Sequence, residues 1–292
     1  MSQATGPASY PAPPAFSYAW ARDDIECRLG FRGGRFTSVH SFLWLVVAGV
    51  LTVASYGAMS LAPGHWLVQM FTERGPCQYA TVLFTFWALL ILLAKVFKTR
   101  SQRRALAFTD LMPEAHDFVL SPGTVGRVLE RLRSQCDDPT AYILFNRIDL
   151  ALRNLKNLGR IGDVDDILRA QAENDENLME SSYSLVRGLI WAVPVLGFIG
   201  TVQGLSSAIG GFASVLEKAR QMEELKPALF KVTGGLSTAF ETTLVALVAV
   251  LGVHLLLTMI RRSEESLLDA CSDYCQRHVV SRLKLTAFES VE

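Results

Sequence analysis

Charged residues are scarce in this chain of 292 residues: Asp, Glu, Lys and Arg together make up 19%, and the two signs balance to a formal net charge of zero. A balanced charge gives no electrostatic support to binding of nucleic acid, so we expect no nucleic-acid partner. Half of the residues are hydrophobic and the mean hydropathy is positive. A composition that is poor in charge and rich in apolar residues is typical of a membrane protein.

Cysteine is equally sparse, with five residues that are odd in number and scattered along the chain. Cys271 and Cys275 lie one helical turn apart, but no His or Cys pair at metal-ligand spacing accompanies them. The cluster of Glu114, His116 and Asp117 likewise has no matching ligand set. We therefore expect neither a disulfide framework nor a metal site, and we interpret the cysteines as small buried side chains.

Motifs of catalysis and of nucleotide binding are missing too. The chain contains no Walker loop, no nucleophile elbow and no dinucleotide fingerprint. We therefore predict that the protein is not an enzyme and that it needs no cofactor.

Four apolar runs are each long enough to cross a bilayer, which takes roughly 20 residues. They fall at about residues 39–61, 78–97, 187–216 and 229–260. The sequence therefore predicts an all-α polytopic membrane protein with four transmembrane helices, of which the last two are long enough to extend into the cytoplasm. Lys95 and Lys98 close the second run, and we expect their side chains to snorkel to the membrane interface.

Composition divides the chain into five segments. A proline-rich flexible cytoplasmic arm (1–38) precedes a hairpin of spans one and two (39–98), and a polar helical cytoplasmic domain (99–184) precedes spans three and four (185–262). A cytoplasmic amphipathic C-terminal helix (263–292) completes the chain. Within the polar domain a basic helical stretch is followed by an acidic one, which favours pairing of the two with each other or, alternatively, a docking surface for a partner.

Basic residues flank the spans unevenly. Arginines and lysines cluster before span one, after span two and at the outer ends of spans three and four, whereas the two opposite loops hold few. By the positive-inside rule both termini and the 99–184 domain are expected in the cytoplasm.

Span three carries small and polar residues where a simple anchor would carry leucine. Gly197, Gly200 and Gly204 lie at spacings of three and four residues and predict a ridge for close helix packing, while Pro194 removes one helical hydrogen bond and predicts a bend. Thr201 lies beside this ridge. Its hydroxyl either faces a hydrated path or bonds the backbone carbonyl one turn back.

Span four contains a carboxylate, Glu241, followed by Thr242 and Thr243. A carboxylate inside a span costs a few kcal/mol unless it is protonated, paired or hydrated. Glu241 is therefore either an extra protonatable group on an ion path or in a subunit interface, or a structural carboxylate bonded to Ser237, to Thr238 or to a neighbour's basic residue. His254 further along the span either relays protons or stays neutral and bonded to a neighbour's backbone.

Two motifs on these spans resemble a known family. The stretch PVLGFIGTVQGL, Pro194 to Leu205, is similar to the third-helix motif of the MotA/TolQ/ExbB family of ion-channel subunits. The stretch AFETTLVAL, Ala239 to Leu247, is similar to the family's pattern in the next helix, except that Glu241 stands where the simplest pattern has an uncharged residue. The resemblance covers roughly Leu178 to Arg262.

The resemblance implies a ring-forming subunit of an ion-driven motor in the bacterial inner membrane. By expectation five copies surround a single-span MotB/TolR/ExbD-like subunit, in two copies, which carries the essential Asp. Protons or sodium ions would pass Thr201, Thr242 and Thr243, with Glu241 as an added group. A non-conducting membrane scaffold is the hypothesis from a different class, and a secondary transporter is disfavoured because no inverted repeat is visible.

Overall fold

The computed structural model describes residues 20, 24–28, 30–31, 34–61, 66–72, 75–106, 120, 122–158, 162–216 and 222–283. These residues form α-helices and two 3₁₀ turns, and none of them belongs to a β-strand. In chain order the helices are α1 (Ile25–Arg28), α2 (Ser41–Ser60), α3 (Trp66–Thr72), α4 (Pro76–Leu106), α5 (Pro122–Gln135), α6 (Ile143–Leu158), α7 (Gly162–Ser182), α8 (Ser184–Leu216) and α9 (Met222–His278).

The chain divides into two compact units. The membrane unit comprises Arg32–Arg100 and Asn174–Leu267, and the polar unit comprises Met1–Phe31, Ser101–Glu173 and Leu268–Glu292.

Four helical stretches of the described chain are long and apolar enough to cross a membrane: Ser41–Ser60, Pro76–Leu106, Val164–Ala213 and Val232–Arg282. The predicted all-α polytopic architecture with four spans is thereby confirmed, and the long apolar runs are its physical cause. A short helix, α3, lies between spans one and two, and the sequence did not predict it.

Helix α9 is continuous over 57 residues, from Met222 to His278. At 1.5 Å per residue it is about 85 Å long, far more than the membrane thickness requires. The sequence predicted a fourth span ending near residue 262 and a separate amphipathic helix from 263. No break divides the two, because the apolar run passes into an amphipathic run without a proline or glycine between them.

The polar unit has its own core. The apolar side of α5 (Val125, Val128, Leu132) and that of α6 (Ile148, Leu152) are buried, in agreement with their helical spacing, and the two helices pack together. Between them a 3₁₀ turn at Pro139–Ala141 begins at Asp138, whose carboxylate accepts the Thr140 amide at 2.9 Å.

Trp20 belongs to the polar unit's core as well. Its side chain is buried edge to face against Tyr142, with 5.2 Å between ring centroids, and its backbone amide donates to the Asp137 carboxylate at 2.9 Å. Trp20 lies within the range 1–38 that was predicted as a flexible arm, so its packing shows a folded contact there. Residues 1–19 lie outside the described part of the chain.

The basic helix α6 and the acidic helix α7 lie side by side. Arg147 of α6 and Asp165 and Arg169 of α7 line one small pocket of about 130 Å³. Two ion pairs of the unit each join residues of one helix. Arg153 pairs with Asp149 in α6, and Arg169 pairs with Asp165 in α7, each at 2.8 Å. The shared pocket places the two stretches near each other, and both their pairing and the alternative of a partner-docking surface stay predictions.

Candidate functional site

Helices α8 and α9 of the membrane unit approach each other along a line of small residues. A Cβ atom at Gly197 would lie 2.7 Å from the Cβ of Ala246, and one at Gly200 would lie 2.9 Å from the hydroxyl oxygen of Thr242. At Gly204 a Cβ would lie 3.0 Å from the backbone oxygen of Gly235. These distances leave no room for a side chain, so the ridge brings the two backbones together as in other tightly packed membrane helices.

Two threonine hydroxyls meet across this contact. The Oγ1 atoms of Thr201 on α8 and Thr243 on α9 are hydrogen-bonded to each other. Thr201 also donates to the carbonyl of Gly197 on its own helix at 3.1 Å and lies 3.3 Å from the carbonyl of Ala239 on the other. Both side chains are half-buried, so the pair is a polar feature at the edge of the contact rather than in its interior.

Thr243 completes this polar group from the other side. Its hydroxyl lies 3.0 Å from the Gly197 carbonyl and 3.4 Å from the Ala239 carbonyl. The same two carbonyls therefore face both hydroxyls. The alternative in which the Thr201 hydroxyl bonds the carbonyl one turn back is observed, together with the contact to Thr243.

Thr242 does not join the pair. Its side chain is buried, its hydroxyl donates to the carbonyl of Ala239 at 2.9 Å, and it lies where Gly200 gives it room. The sequence grouped Thr242 with Thr201 and Thr243, but adjacent positions on a helix point about 100° apart, so only one of two neighbours can occupy a given face.

Glu241 bonds within its own helix. Ser237, one turn earlier, donates its hydroxyl to the Glu241 carboxylate at 2.7 Å. This contact is one of the structural alternatives that the sequence allowed. The carboxylate is half-buried.

Pro194 and His254 occupy the flanks of the site. Helix α8 continues through Pro194 without interruption. His254 is exposed on α9, and its backbone carbonyl accepts the Thr258 hydroxyl at 2.9 Å.

Large apolar side chains surround the site on the outer faces of α8 and α9. Phe198 is 64% exposed and Phe240 is 63% exposed in the isolated chain. Others on the same faces are Val202, Ile209, Leu247, Leu251 and Met259. Bilayer lipid or neighbouring helices must cover surfaces of this kind in a membrane protein.

A buried ion pair lies in the same unit, well away from the threonines along the chain. The Lys95 ammonium on α4 is 3.3 Å from the Glu264 carboxylate on α9, and both side chains are almost completely buried. Tyr183 donates its hydroxyl to Glu264 at 2.7 Å, and Thr99 lies 3.2 Å from the same carboxylate. We call Lys95, Thr99, Tyr183 and Glu264 the buried ion-pair cluster.

The cluster corrects one prediction and adds residues that the sequence did not identify. Lys95 was expected to snorkel to the interface, but its ammonium bonds Glu264 and Ser182 and lies 4.0 Å from the centre of the Tyr183 ring. Lys98 is buried as well and donates to the carbonyl of Ser38 at 2.7 Å. The one signal in the sequence was a single lysine inside an apolar run, which requires a counter-charge somewhere.

The five cysteines lie in the described part of the chain. None of them forms a disulfide, and those other than Cys27 are buried. Within the described ranges no group of three or more His, Cys, Asp or Glu side chains is placed to hold a metal ion. Glu114, His116 and Asp117 lie outside those ranges.

A known protein family matches the part of the chain that contains the threonine pair. The model of the MotA/TolQ/ExbB proton channel family matches residues 137–272, so the similarity begins well before the Leu178 that the motifs suggested. The matching family consists of proton channels and is not an enzyme family. No curated protein and no solved structure matches the chain.

Proposed function

Because residues 137–272 match the model of the MotA/TolQ/ExbB proton channel family, and the chain is a multi-pass membrane protein, we propose that it is the ring-forming subunit of an ion-driven membrane motor. The observation that carries the proposal is the hydrogen-bonded pair of Thr201 and Thr243. Close packing of α8 and α9 needs small residues but does not need two hydroxyls facing each other across the contact. A pair of hydroxyls gives a passing ion oxygen atoms to bind in an otherwise apolar wall.

The transported ion is a proton or a sodium ion, and the proposed motor uses no cofactor. The driving force is about 2.3 kcal/mol for each charge that crosses 100 mV, so several transfers supply mechanical work. In this proposal Thr201 and Thr243 line the path, while Thr242, Pro194, Gly197, Gly200 and Gly204 hold α8 and α9 at the separation that the path requires.

The ring also needs partners. Proteins of this family work in oligomeric complexes with a single-span subunit. We propose five copies of this chain around two copies of a MotB/TolR/ExbD-like subunit that carries the ion-binding Asp. The exposed apolar faces of α8 and α9 around Phe198 and Phe240 supply the surface that neighbouring copies and this partner would cover.

Ion flux through the assembled complex tests the role of the threonine pair. The chain is co-expressed with the single-span protein encoded beside it, reconstituted into vesicles, and assayed with a pH-sensitive or a sodium-sensitive dye under an imposed potential. Thr201→Val and Thr243→Val keep the side-chain shape and remove the hydroxyls, and we expect each to lower flux by about tenfold, as for loss of one hydrogen bond to an ion.

Thr258→Val is the matched control, because Thr258 lies on the same helix, is exposed and bonds its own backbone. Flux that is unchanged in the Thr201→Val, Thr243→Val double variant would remove the basis of the proposal.

Glu241 is tested separately. In the proposal its carboxylate is an extra protonatable group near the path, and Glu241→Gln is expected to change flux while the Ser237 hydrogen bond and the assembly are kept. A Glu241→Gln complex with normal flux and normal assembly would assign the carboxylate a structural role.

A non-conducting scaffold remains the second candidate, because the contact of Gly197 with Ala246 is what tight packing alone demands. The two functions differ in the flux assay: a scaffold assembles into a ring and passes no ions with or without its partner. The proposed location is the bacterial inner membrane with both termini in the cytoplasm.

A further inference from the structure

The exposed side of α4 changes from apolar to basic along one line of residues. Leu93 is 50% exposed and Phe97 is 43% exposed, and Arg100 and Arg104 follow at spacings of three and four residues and are exposed too. Positions three and four apart lie on one side of a helix. Arg103 borders the same line and is also exposed. We call these five residues of one continuous helix the outer stripe of α4.

The helical rise places this change at the edge of the bilayer's hydrocarbon core. From Tyr79 to Phe97 the helix rises about 27 Å, close to the roughly 30 Å of the core, and the one charged residue in this interval, Lys95, has a buried side chain. Arg100 lies about 5 Å beyond Phe97 along the axis, and Arg104 lies about 10 Å beyond it. The headgroup layer begins at that depth, so the arginines lie at the level of the lipid phosphates.

The charge of the outer stripe is of one sign. The two lysines of α4 point into the protein, where Lys95 meets the Glu264 carboxylate and Lys98 donates to the carbonyl of Ser38. The three arginines lie on the exposed side instead, and α4 contains no Asp or Glu. The guanidinium group of arginine binds phosphate oxygens in a bidentate manner, and clusters of basic residues next to a transmembrane span attract anionic lipids.

We propose that the outer stripe of α4 binds an anionic phospholipid, whose acyl chain lies against Leu93 and Phe97 and whose phosphate lies among Arg100, Arg103 and Arg104. The order of the stripe, apolar and then basic, is the order of the lipid itself. A zwitterionic lipid brings its own ammonium group beside the phosphate, so a stripe of positive charge favours a lipid that has none. The site depends on the transmembrane architecture and not on ion conduction, so it stands or falls independently of the motor proposal.

Photo-crosslinking identifies the lipid. Phe97 is replaced by photoreactive benzoylphenylalanine in the full-length protein, which is co-expressed with its single-span partner where one is encoded. The complex is reconstituted into nanodiscs of phosphatidylethanolamine in which about one lipid in five is phosphatidylglycerol, and mass spectrometry identifies the crosslinked lipids. We expect the share of phosphatidylglycerol among them to exceed its share of the bilayer by about threefold or more, and to fall as the salt concentration rises.

Substitution of the arginines tests the cause of this enrichment. In the Arg100→Gln, Arg103→Gln, Arg104→Gln variant we expect the share of phosphatidylglycerol to fall to that of the bilayer. The total yield of crosslinked lipid should stay the same, which shows that α4 remains inserted.

The matched control removes three exposed arginines of α5 in the polar unit, Arg127, Arg131 and Arg133, by the same change to glutamine. It lowers the net charge equally and is expected to leave the enrichment unchanged. Three outcomes would overturn the proposal: a phosphatidylglycerol share at Phe97 equal to that of the bilayer, an enrichment that survives the loss of the α4 arginines, or crosslinking of Phe97 to another copy or to the partner in place of lipid.

Discussion

At the scale of single residues, Thr201 and Thr243 differ from other threonines of α9. Thr233 and Thr258 donate to carbonyls of their own helix, as threonines in membrane helices commonly do. Thr201 and Thr243 also lie near a carbonyl of their own helix, but in addition their hydroxyls bond each other, and each faces a carbonyl of the other helix. The helices approach closely enough for this because Gly197 carries no side chain.

Gly197→Ala is therefore expected to destabilise the membrane unit. The added Cβ would lie 2.7 Å from the Cβ of Ala246, and overpacking of this kind costs about 1–3 kcal/mol. Thermal unfolding in detergent measures the loss, and Ala246→Gly in the same chain should restore most of it by returning the space. Gly210→Ala, on the same helix with open space around its Cβ, is the control and is expected to be neutral or slightly stabilising, because alanine has the higher helix propensity. An equal loss in both single variants would show that the contact with Ala246 is not responsible.

Cys136 gives a prediction outside the membrane. Burial raises the pKa of its thiol from 9.0 to about 12, and the carboxylates of Asp137 and Asp138 add to the rise. The folded thiol therefore stays protonated at neutral pH and is a poor nucleophile. Because the folded pKa is the higher one, the stability that the thiol form contributes is present below pH 9 and is lost as the pH rises toward 12.

In a variant that keeps only Cys136, we expect maleimide at pH 7.5 to label the native protein slowly and the denatured protein at once. Mass spectrometry of the alkylated chain measures both rates. Rapid and complete labelling of the native protein would contradict the buried position.

At the scale of helices, the buried ion-pair cluster connects α4 and α9. A buried ion pair contributes little more than well-packed apolar residues would, but removal of one partner leaves the other charge buried and costs about 3–5 kcal/mol. The cluster also contains a hydroxyl donor, Tyr183, that requires the carboxylate as its acceptor. The main effect of the ion pair is therefore to fix the position of α4 against α9, and its net contribution to the free energy of unfolding is small.

Lys95→Met is expected to lower the unfolding free energy by about 3–5 kcal/mol, because the Glu264 carboxylate loses its counter-charge. Adding Glu264→Gln removes the stranded charge, keeps an acceptor for Tyr183 and should restore most of the loss. The exposed pair of Arg277 and Asp273 provides the control, since Arg277→Met should change stability by less than about 0.5 kcal/mol. A Lys95→Met chain as stable as the control would refute the argument.

At the scale of the whole molecule, charge asymmetry predicts the orientation. Basic residues precede α2 and lie in the C-terminal part of α4, with Arg103 and Arg104 in its last turn, and few lie in the connection between the two helices. Reporter fusions at the N-terminus and after residue 283 are both expected to be active in the cytoplasm, and a fusion in the connection between α2 and α4 on the opposite side. A terminal fusion that is active only outside the cytoplasm would contradict this orientation.

The spans were predictable because each follows from a local run of apolar residues. The glycine ridge and the threonines were identifiable for a related reason, since small residues at helical spacing define a face without knowledge of what meets it. The pairing of Thr201 with Thr243 and the exclusion of Thr242 from it needed the rotation of α9 against α8, which no single helix determines.

Other features depended on distant parts of the chain. Glu264, the partner of Lys95, lies 169 residues away along the chain, and the sequence around Lys95 does not indicate which carboxylate pairs with it. The sequence changes from apolar to charged near residue 262, and this change suggested the end of a helix. Helix α9 nevertheless continues, because no proline or glycine interrupts it there.

The separation of Lys95 from Glu264 along the chain also bears on biogenesis. Ribosomes deliver α4 to the membrane long before they deliver α9, so the newly made hairpin of α2 and α4 holds an ammonium group with no carboxylate to neutralise it. We expect a nascent chain arrested before Glu264 to be degraded faster than the same arrested chain with Lys95→Met, as pulse-chase labelling would measure; equal half-lives would refute this. Insertion of the hairpin of α2 and α4 is therefore expected to be complete only after α9 has been synthesised.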